Sequence, residues 1–239
     1  MRRLTVLGSC GAYPEPGRAC SGFLLEWDGF RVVLDLGYST LPRLLAHGVP
    51  DAVVITHEHP DHCIDLHGLF RMRLYGGMRE PRLPLYCPPG VLERLGGLEP
   101  EVDLRAVFDV RELPGDYQVG PFALTSVLLP HYVPNAGVRL VADGVVVAYT
   151  GDTGPTPLLA ELGRGADLFI VEATDRPGRP DGQLMTAVEA GRAASAAGAQ
   201  RLMLTHFWPG NDRGLAVAAA GGEFSGVVLA AGEGVVVSL

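Results

Sequence analysis

A chain of 239 residues, 47% of them apolar, is long enough to bury a sizeable core, and one domain over residues 1–239 is expected. Its formal charge of −8, from 19 Lys plus Arg against 27 Asp plus Glu, argues against a grip on long nucleic acid, which needs a basic stripe. No uninterrupted apolar run reaches the roughly 18 residues of a membrane span, and the basic Met1-Arg2-Arg3 start leads into a strand, so a soluble cytoplasmic protein is expected. Cys10, Cys20, Cys63 and Cys87 form no C-x-x-C pair, which argues against a disulfide framework or a thiolate zinc knuckle.

Leu4–Leu7 reads as a first strand, closed by Gly8 and followed by a Gly- and Pro-containing loop to Pro14. Phe23–Trp27 and Arg31–Asp35 read as two further strands joined at Asp28-Gly29, a strong hairpin signal. The third strand ends in the triplet Asp35-Leu36-Gly37, where Asp35 is placed to cap a helix starting near Ser39-Thr40. That helix is expected through Leu41–His47. His47 at its end complements the helix dipole and reads as structural.

The apolar run Ala52–Ile55 then leads into Thr56-His57-Glu58-His59-Pro60-Asp61-His62. Three of the chain's seven histidines crowd here beside a carboxylate, a density that marks a metal site. Alternate residues of an extended backbone project to one side, so His57 and His59 converge on one cation while Asp61 and His62 turn towards a second. Imidazole and carboxylate suit zinc, with manganese or iron as alternatives.

This H-x-H-x-D-H pattern after a strand resembles the signature of the metallo-β-lactamase superfamily. The resemblance implies an α/β architecture, the αββα four-layer sandwich, with a metal site at one edge and a diverged two-half pseudo-symmetry. The run His57–Leu66 with Gly68-Leu69-Phe70, together with Leu4–Cys10 and Cys20-Ser21-Gly22, is similar to the ribonuclease Z-like branch, in particular its small bacterial cyclic-nucleotide phosphodiesterases. It also implies a second reading of Asp35, as a group that orients metal-binding histidines.

Beyond the motif, Cys63–Phe70 has helical apolar spacing. Asp65, three residues after His62, shares its face and is a candidate to support the metal ligands, whereas His67 faces away. Arg71, Arg73, Arg79 and Arg82 read as a solvated helix end rather than a phosphate site. A short strand is expected at Leu83–Tyr86, a helix from Cys87-Pro88-Pro89-Gly90 to about Gly96, and weaker strands at Leu104–Val107 and Tyr117–Gly120. Phe122–Leu129 runs into Pro130-His131, where the superfamily resemblance implies the third ligand of the first metal.

Val138–Val141 and Val145–Tyr149 form a hairpin about Asp143-Gly144 and deliver Thr150-Gly151-Asp152-Thr153-Gly154. From the residues alone Asp152 could cap a helix over Pro155–Leu162; the resemblance implies a carboxylate bridging two metals. The strand Asp167–Val171 leads to Glu172-Ala173-Thr174, part of a ribonuclease Z-like motif. An alanine-rich helix follows at Thr186–Gly198, and the strand Arg201–Leu204 ends in Thr205-His206-Phe207, resembling the family's last ligand motif. A short helix about Leu215–Ala220 and strands at Val227–Ala230 and Val235–Ser238 are expected to complete the second sheet.

Carried over residue by residue, the resemblance implies that His57, His59 and His131 bind one divalent ion, that Asp61, His62 and His206 bind another, and that Asp152 bridges them. Two such ions lower the pKa of a shared water towards about 7 and present hydroxide to a phosphodiester, with Asp61 accepting the proton. One departure stands out: where ribonuclease Z relatives carry a histidine before the helix at Thr186, this chain has Gln183. With no insertion long enough for a tRNA-gripping arm, a small phosphodiester such as a cyclic nucleotide is preferred over structured RNA. The alternatives are a ribonuclease Z-like endonuclease, a thioester or lactone hydrolase, and a metal-stabilised binding module. A homodimer is common among the relatives.

Overall fold

The computed structural model describes residues 1–176, 178 and 182–239. Period-two apolar alternation builds two seven-stranded sheets among them. In the first half, β1 (Arg2–Gly8), β2 (Gly22–Trp27) and β3 (Phe30–Leu34) form an antiparallel meander, and β4 (Ala52–Val54), β5 (Leu83–Cys87) and β6 (Phe108–Glu112) continue it in parallel. The second half repeats the plan. Antiparallel β7 (Tyr117–Val119), β8 (Phe122–Leu129), β9 (Asn135–Ala142) and β10 (Val145–Tyr149) are followed by parallel β11 (Leu168–Glu172), β12 (Arg201–Thr205) and β13 (Val227–Ala230).

Parallel neighbours need crossovers, and helices supply them. In the first half these are α1 (Leu41–Leu45), α2 (Pro60–Tyr75) and α3 (Val91–Gly96); in the second, α4 (Leu158–Leu162), α5 (Ala187–Ala197) and α6 (Arg213–Gly221). Each strand sends alternate residues to opposite faces. Phe23, Leu25 and Trp27 of β2 join Leu168 and Ile170 of β11 in the core between the sheets. Leu24 and Val33 face outward onto Leu66, Leu69 and Phe70 of α2, while Phe169 and Val171 pack under Ala190 and Ala194 of α5. The result is the expected αββα sandwich.

Three local expectations are corrected. Leu104–Ala106 is a 3-10 turn, not a strand, because the Asp103 side chain accepts the Arg105 N–H and closes the turn. The strand is instead β6, whose Phe108-Asp109-Val110-Arg111-Glu112 alternation carries charges suited to an exposed sheet edge. The last strand, β14 (Val236–Ser238), pairs antiparallel with β1 and so completes the first sheet rather than the second. Arg73 is not solvated: it is buried and its guanidinium donates to the Pro81 carbonyl, while Arg71 pairs with Glu99.

Candidate metal centre

In parallel sheets a site forms outside the carboxyl ends of the strands. Here the ends of β3, β4, β10, β11 and β12 deliver Asp35, His57, Asp152, Glu172 and His206, and the β8–β9 turn delivers His131. His59 is the N-cap of α2, Pro60 opens the helix, and its first turn carries Asp61 and His62.

All seven candidate ligands come together. The ligand atoms of His57, His59, His131 and Asp152 lie within 4.8 Å of one another, as do those of Asp61, His62 and His206. His59 Nδ1 stands 3.1 Å from Nε2 of His57 and 3.1 Å from Nε2 of His131. Two nitrogens held by one tetrahedral ion at the usual 2.0–2.1 Å stand about 3.3 Å apart, so this spacing fits a cation. Asp152 lies between the clusters, its Oδ1 3.2 Å from His62 Nε2 and its Oδ2 3.2 Å from His206 Nε2. His62 Nε2 and Asp152 Oδ1 are buried and make no hydrogen bond, which is the signature of atoms arranged for an ion.

The opposite nitrogens of the imidazoles are tied down. Asp35 Oδ2 accepts from His62 Nδ1 at 2.7 Å, from the Tyr149 hydroxyl at 2.8 Å and from Thr56 Oγ1 at 2.9 Å. Thr56 Oγ1 in turn lies 3.0 Å from His57 Nδ1. Across the site, His206 Nδ1 lies 2.9 Å from Thr174 Oγ1, and the Thr174 hydroxyl donates to Glu172. His131 Nδ1 meets the Gln183 carbonyl at 3.0 Å. These partners fix the rings of His57, His62, His131 and His206 with one nitrogen turned inward.

The aspartate readings exchange places. Asp35 orients the histidines, and the helix cap once open to it is made by Asp65, whose Oδ2 accepts the Leu41 N–H at 2.8 Å at the start of α1. Asp65 therefore supports no ligand. His47 lies beyond α1 and outside both clusters, and His67 pairs with Glu99 at 3.3 Å. Sequence reasoning missed the loop after β1: the Ala12 N–H donates to Asp61 Oδ2 at 2.7 Å, beside the 3.1 Å contact of His206 with the same oxygen. Ala12, Asp35 and His206 all adopt positive φ, of 65°, 60° and 56°, so strained backbone gathers at this site. Gly11 is required there, because a Cβ would stand 2.8 Å from the His206 ring. Roles for Thr56, Tyr149, Glu172 and Thr174 were also missed; Glu172-Ala173-Thr174 was the available signal.

The electrostatics follow from burial among opposite charges. Burial works to raise the Asp61 carboxyl, but its hydrogen bond to His206 and the nearby imidazoles win and hold it at about 2. Burial would lower His62, yet Asp152 and Asp35 push it well above the ordinary histidine range. Glu172 goes the other way, raised to about 8 by burial and by repulsion from Asp152. Positive charge is thus favoured at the second cluster, whereas burial and repulsion from neighbouring imidazoles lower His57, His59 and His131 of the first.

A four-layer αββα sandwich that gathers two adjoining His/Asp clusters at its strand ends defines a hydrolase of the metallo-β-lactamase fold. The chain belongs to the β-lactamase superfamily, whose domain matches residues 31–207. An uncharacterised protein of Mycobacterium leprae (strain TN) is 37% identical, over 97% of this chain and 87% of its own length. The Bacillus subtilis (strain 168) protein named "Probable metallo-hydrolase YhfI" is 31% identical over 85% of this chain and 86% of that protein. The crystal structure of YhfI superposes with a TM-score of 0.88 at 28% identity, covering 100% of this chain and 99% of that one. Ribonuclease Z of Kineococcus radiotolerans is 30% identical over 86% of this chain and 83% of the enzyme. The resemblance to this superfamily and its ribonuclease Z-like members is borne out.

Proposed function

We propose that the chain, acting as one domain over residues 1–239, is a two-metal phosphodiesterase for a small phosphodiester of the cyclic-nucleotide kind. His57, His59 and His131 would hold one divalent ion and Asp61, His62 and His206 the other, with Asp152 shared. The observation that carries this reading is Asp152, which faces His62 and His206 with opposite oxygens at 3.2 Å while His57 and His131 stand 3.9 and 3.8 Å away. When bound, such ions neutralise charge on the phosphate oxygens and lower the pKa of water; zinc suits these donors, with manganese or iron as alternatives.

The chain's own part is orientation and proton handling. Asp61 Oδ2, fixed by Ala12 N–H and His206, takes the proton of the attacking water. Asp35 and Glu172 hold the imidazoles that frame the phosphate. His131 meets only the main-chain carbonyl of Gln183, and a carboxamide is no acid at neutral pH, so the leaving oxygen takes its proton from water.

Two facts favour a small substrate over precursor tRNA. The chain carries net charge −8. The alignment with the Kineococcus ribonuclease Z runs over 264 positions while using 86% of this chain, so that enzyme has segments this chain lacks. The test is hydrolysis of 3′,5′-cyclic AMP, bis(p-nitrophenyl) phosphate, a tRNA precursor and a thioester by metal-stripped protein with zinc or manganese restored. Metal-dependent turnover of the cyclic and model diesters is expected. Cleavage of the precursor, or turnover of the thioester alone, would overturn the substrate class.

A further inference from the structure

Exposed aromatic rings are few among the described residues, and one of them is packed against the candidate ligands. Among the described residues the exposed large aromatics are Tyr13, Tyr75 and Tyr132, at 54%, 63% and 48% of full exposure. Tyr75 has local work: its hydroxyl donates to Glu99 and its ring carries the Arg71 guanidinium at 4.8 Å. Tyr132 borders the first cluster, and Tyr13 follows the loop residue whose N–H reaches Asp61 of the second.

Tyr132 follows His131, and its ring meets the His131 imidazole edge-on at 5.0 Å between centroids and the His59 imidazole at 6.5 Å. The ring is thus seated by imidazoles assigned to the first cluster, and still leaves about half its surface to solvent. Tyr13 follows Ala12, whose N–H holds Asp61 of the second cluster. On that second side Arg176 lies over the Trp208 indole at 4.8 Å, two residues beyond Thr174 and His206 respectively. The rim of the site therefore offers flat aromatic surface and a cation in a chain that is acidic as a whole. A planar group joined to an anionic phosphodiester complements both, and a nucleobase is the chemistry that matches: every base has a π-face that stacks on an aromatic ring.

We infer that Tyr132 stacks the base of a nucleotide phosphodiester whose phosphate lies at the paired clusters, making it the residue by which this chain selects nucleotide esters over base-free ones. The inference rests on the phosphodiesterase reading above. Its test compares 3′,5′-cyclic AMP with the matching cyclic ribose phosphate that carries no base. Native protein is expected to show the lower KM for cyclic AMP, and Tyr132→Ala to raise that KM about ten-fold, within the span base–aromatic stacking delivers, with kcat nearly unchanged. The KM for the base-free ester stays put. Tyr132→Leu, which keeps apolar bulk against His131, gives the same split, and Tyr132→Trp restores native behaviour.

A binding signature accompanies the kinetics: the fluorescence of 1,N6-etheno-AMP is quenched by native protein and by Tyr132→Trp, but not by Tyr132→Ala or Tyr132→Leu. Equal KM values for the two esters in native protein, or a parallel rise of both in the variants, would overturn the inference and leave the phosphodiesterase reading standing. Absence of turnover on every phosphodiester would overturn that reading, and this inference with it.

Discussion

Asp35 Oδ2 lies 2.7 Å from His62 Nδ1, in a pocket where neither residue has any exposure to solvent. The same oxygen reaches the His57 ring through Thr56, so one carboxylate from the end of β3 aligns an imidazole from each cluster. Asp35→Asn keeps the shape but exchanges an acceptor for a donor facing His62, Thr56 and Tyr149. Zinc affinity, read by competition with a chromophoric chelator, is expected to fall about 10- to 100-fold, the range for partners that orient metal ligands. Native affinity in Asp35→Asn would refute the role.

Asp65 provides the contrast. It caps α1 at Leu41, and among the described residues its carboxylate belongs to neither ligand cluster. Asp65→Ala should cost about 1 kcal/mol of stability, the usual value of a lost helix cap, and leave kcat at the native level. Urea unfolding and steady-state turnover measured on one preparation check both halves; a large loss of kcat in the folded variant would contradict the assignment.

Gly37 owes its place to contact rather than to an unusual φ. A Cβ there would stand 1.9 Å from the Asp61 carbonyl oxygen, a backbone atom with little room to retreat. Gly37→Ala is expected to cost about 2–3 kcal/mol and lower Tm by roughly 5–10 °C. A Tm within a degree of native would show that the loop accommodates the methyl group.

The four thiols are all buried and free. Burial pushes Cys87 up to about 12 and raises Cys10, Cys20 and Cys63 as well, so the reactive thiolate is scarce at neutral pH. Ellman's reagent at pH 8 should label none of them within minutes in folded protein and all four in urea. Rapid labelling of a native thiol would contradict this packing.

The architecture and six of the seven candidate ligands were legible because each of the six sits in a compact local signal, whereas His131, a lone histidine after β8, was picked out only by the family resemblance. H-x-H-x-D-H, T-G-D-T-G and L-T-H-F all follow apolar strands. The supporting residues were not, because their partners are chosen by tertiary packing. Asp35 and Asp65 are both aspartates near a helix start in sequence, and only the juxtaposition of β3 with β4, and of α2 with α1, decides which one orients histidines and which one caps. The Ala12 contact is a backbone N–H and carries no residue-type signal. The β6 strand hid behind Asp109, Arg111 and Glu112, charges that belong on a sheet edge but dilute an apolar pattern. The destination of β14 was ambiguous because a three-residue strand can pair with either edge.

The account turns on Asp152 serving two metal ions at once. The most direct measurement is metal content by mass spectrometry after stripping and reloading with zinc, for native protein and for Asp152→Ala, alongside hydrolysis of a phosphodiester. Two equivalents per chain with restored turnover are predicted for the native protein, and loss of at least one equivalent together with turnover for the variant. A native protein that takes up one ion or none, or an Asp152→Ala variant that holds two and remains active, would contradict it.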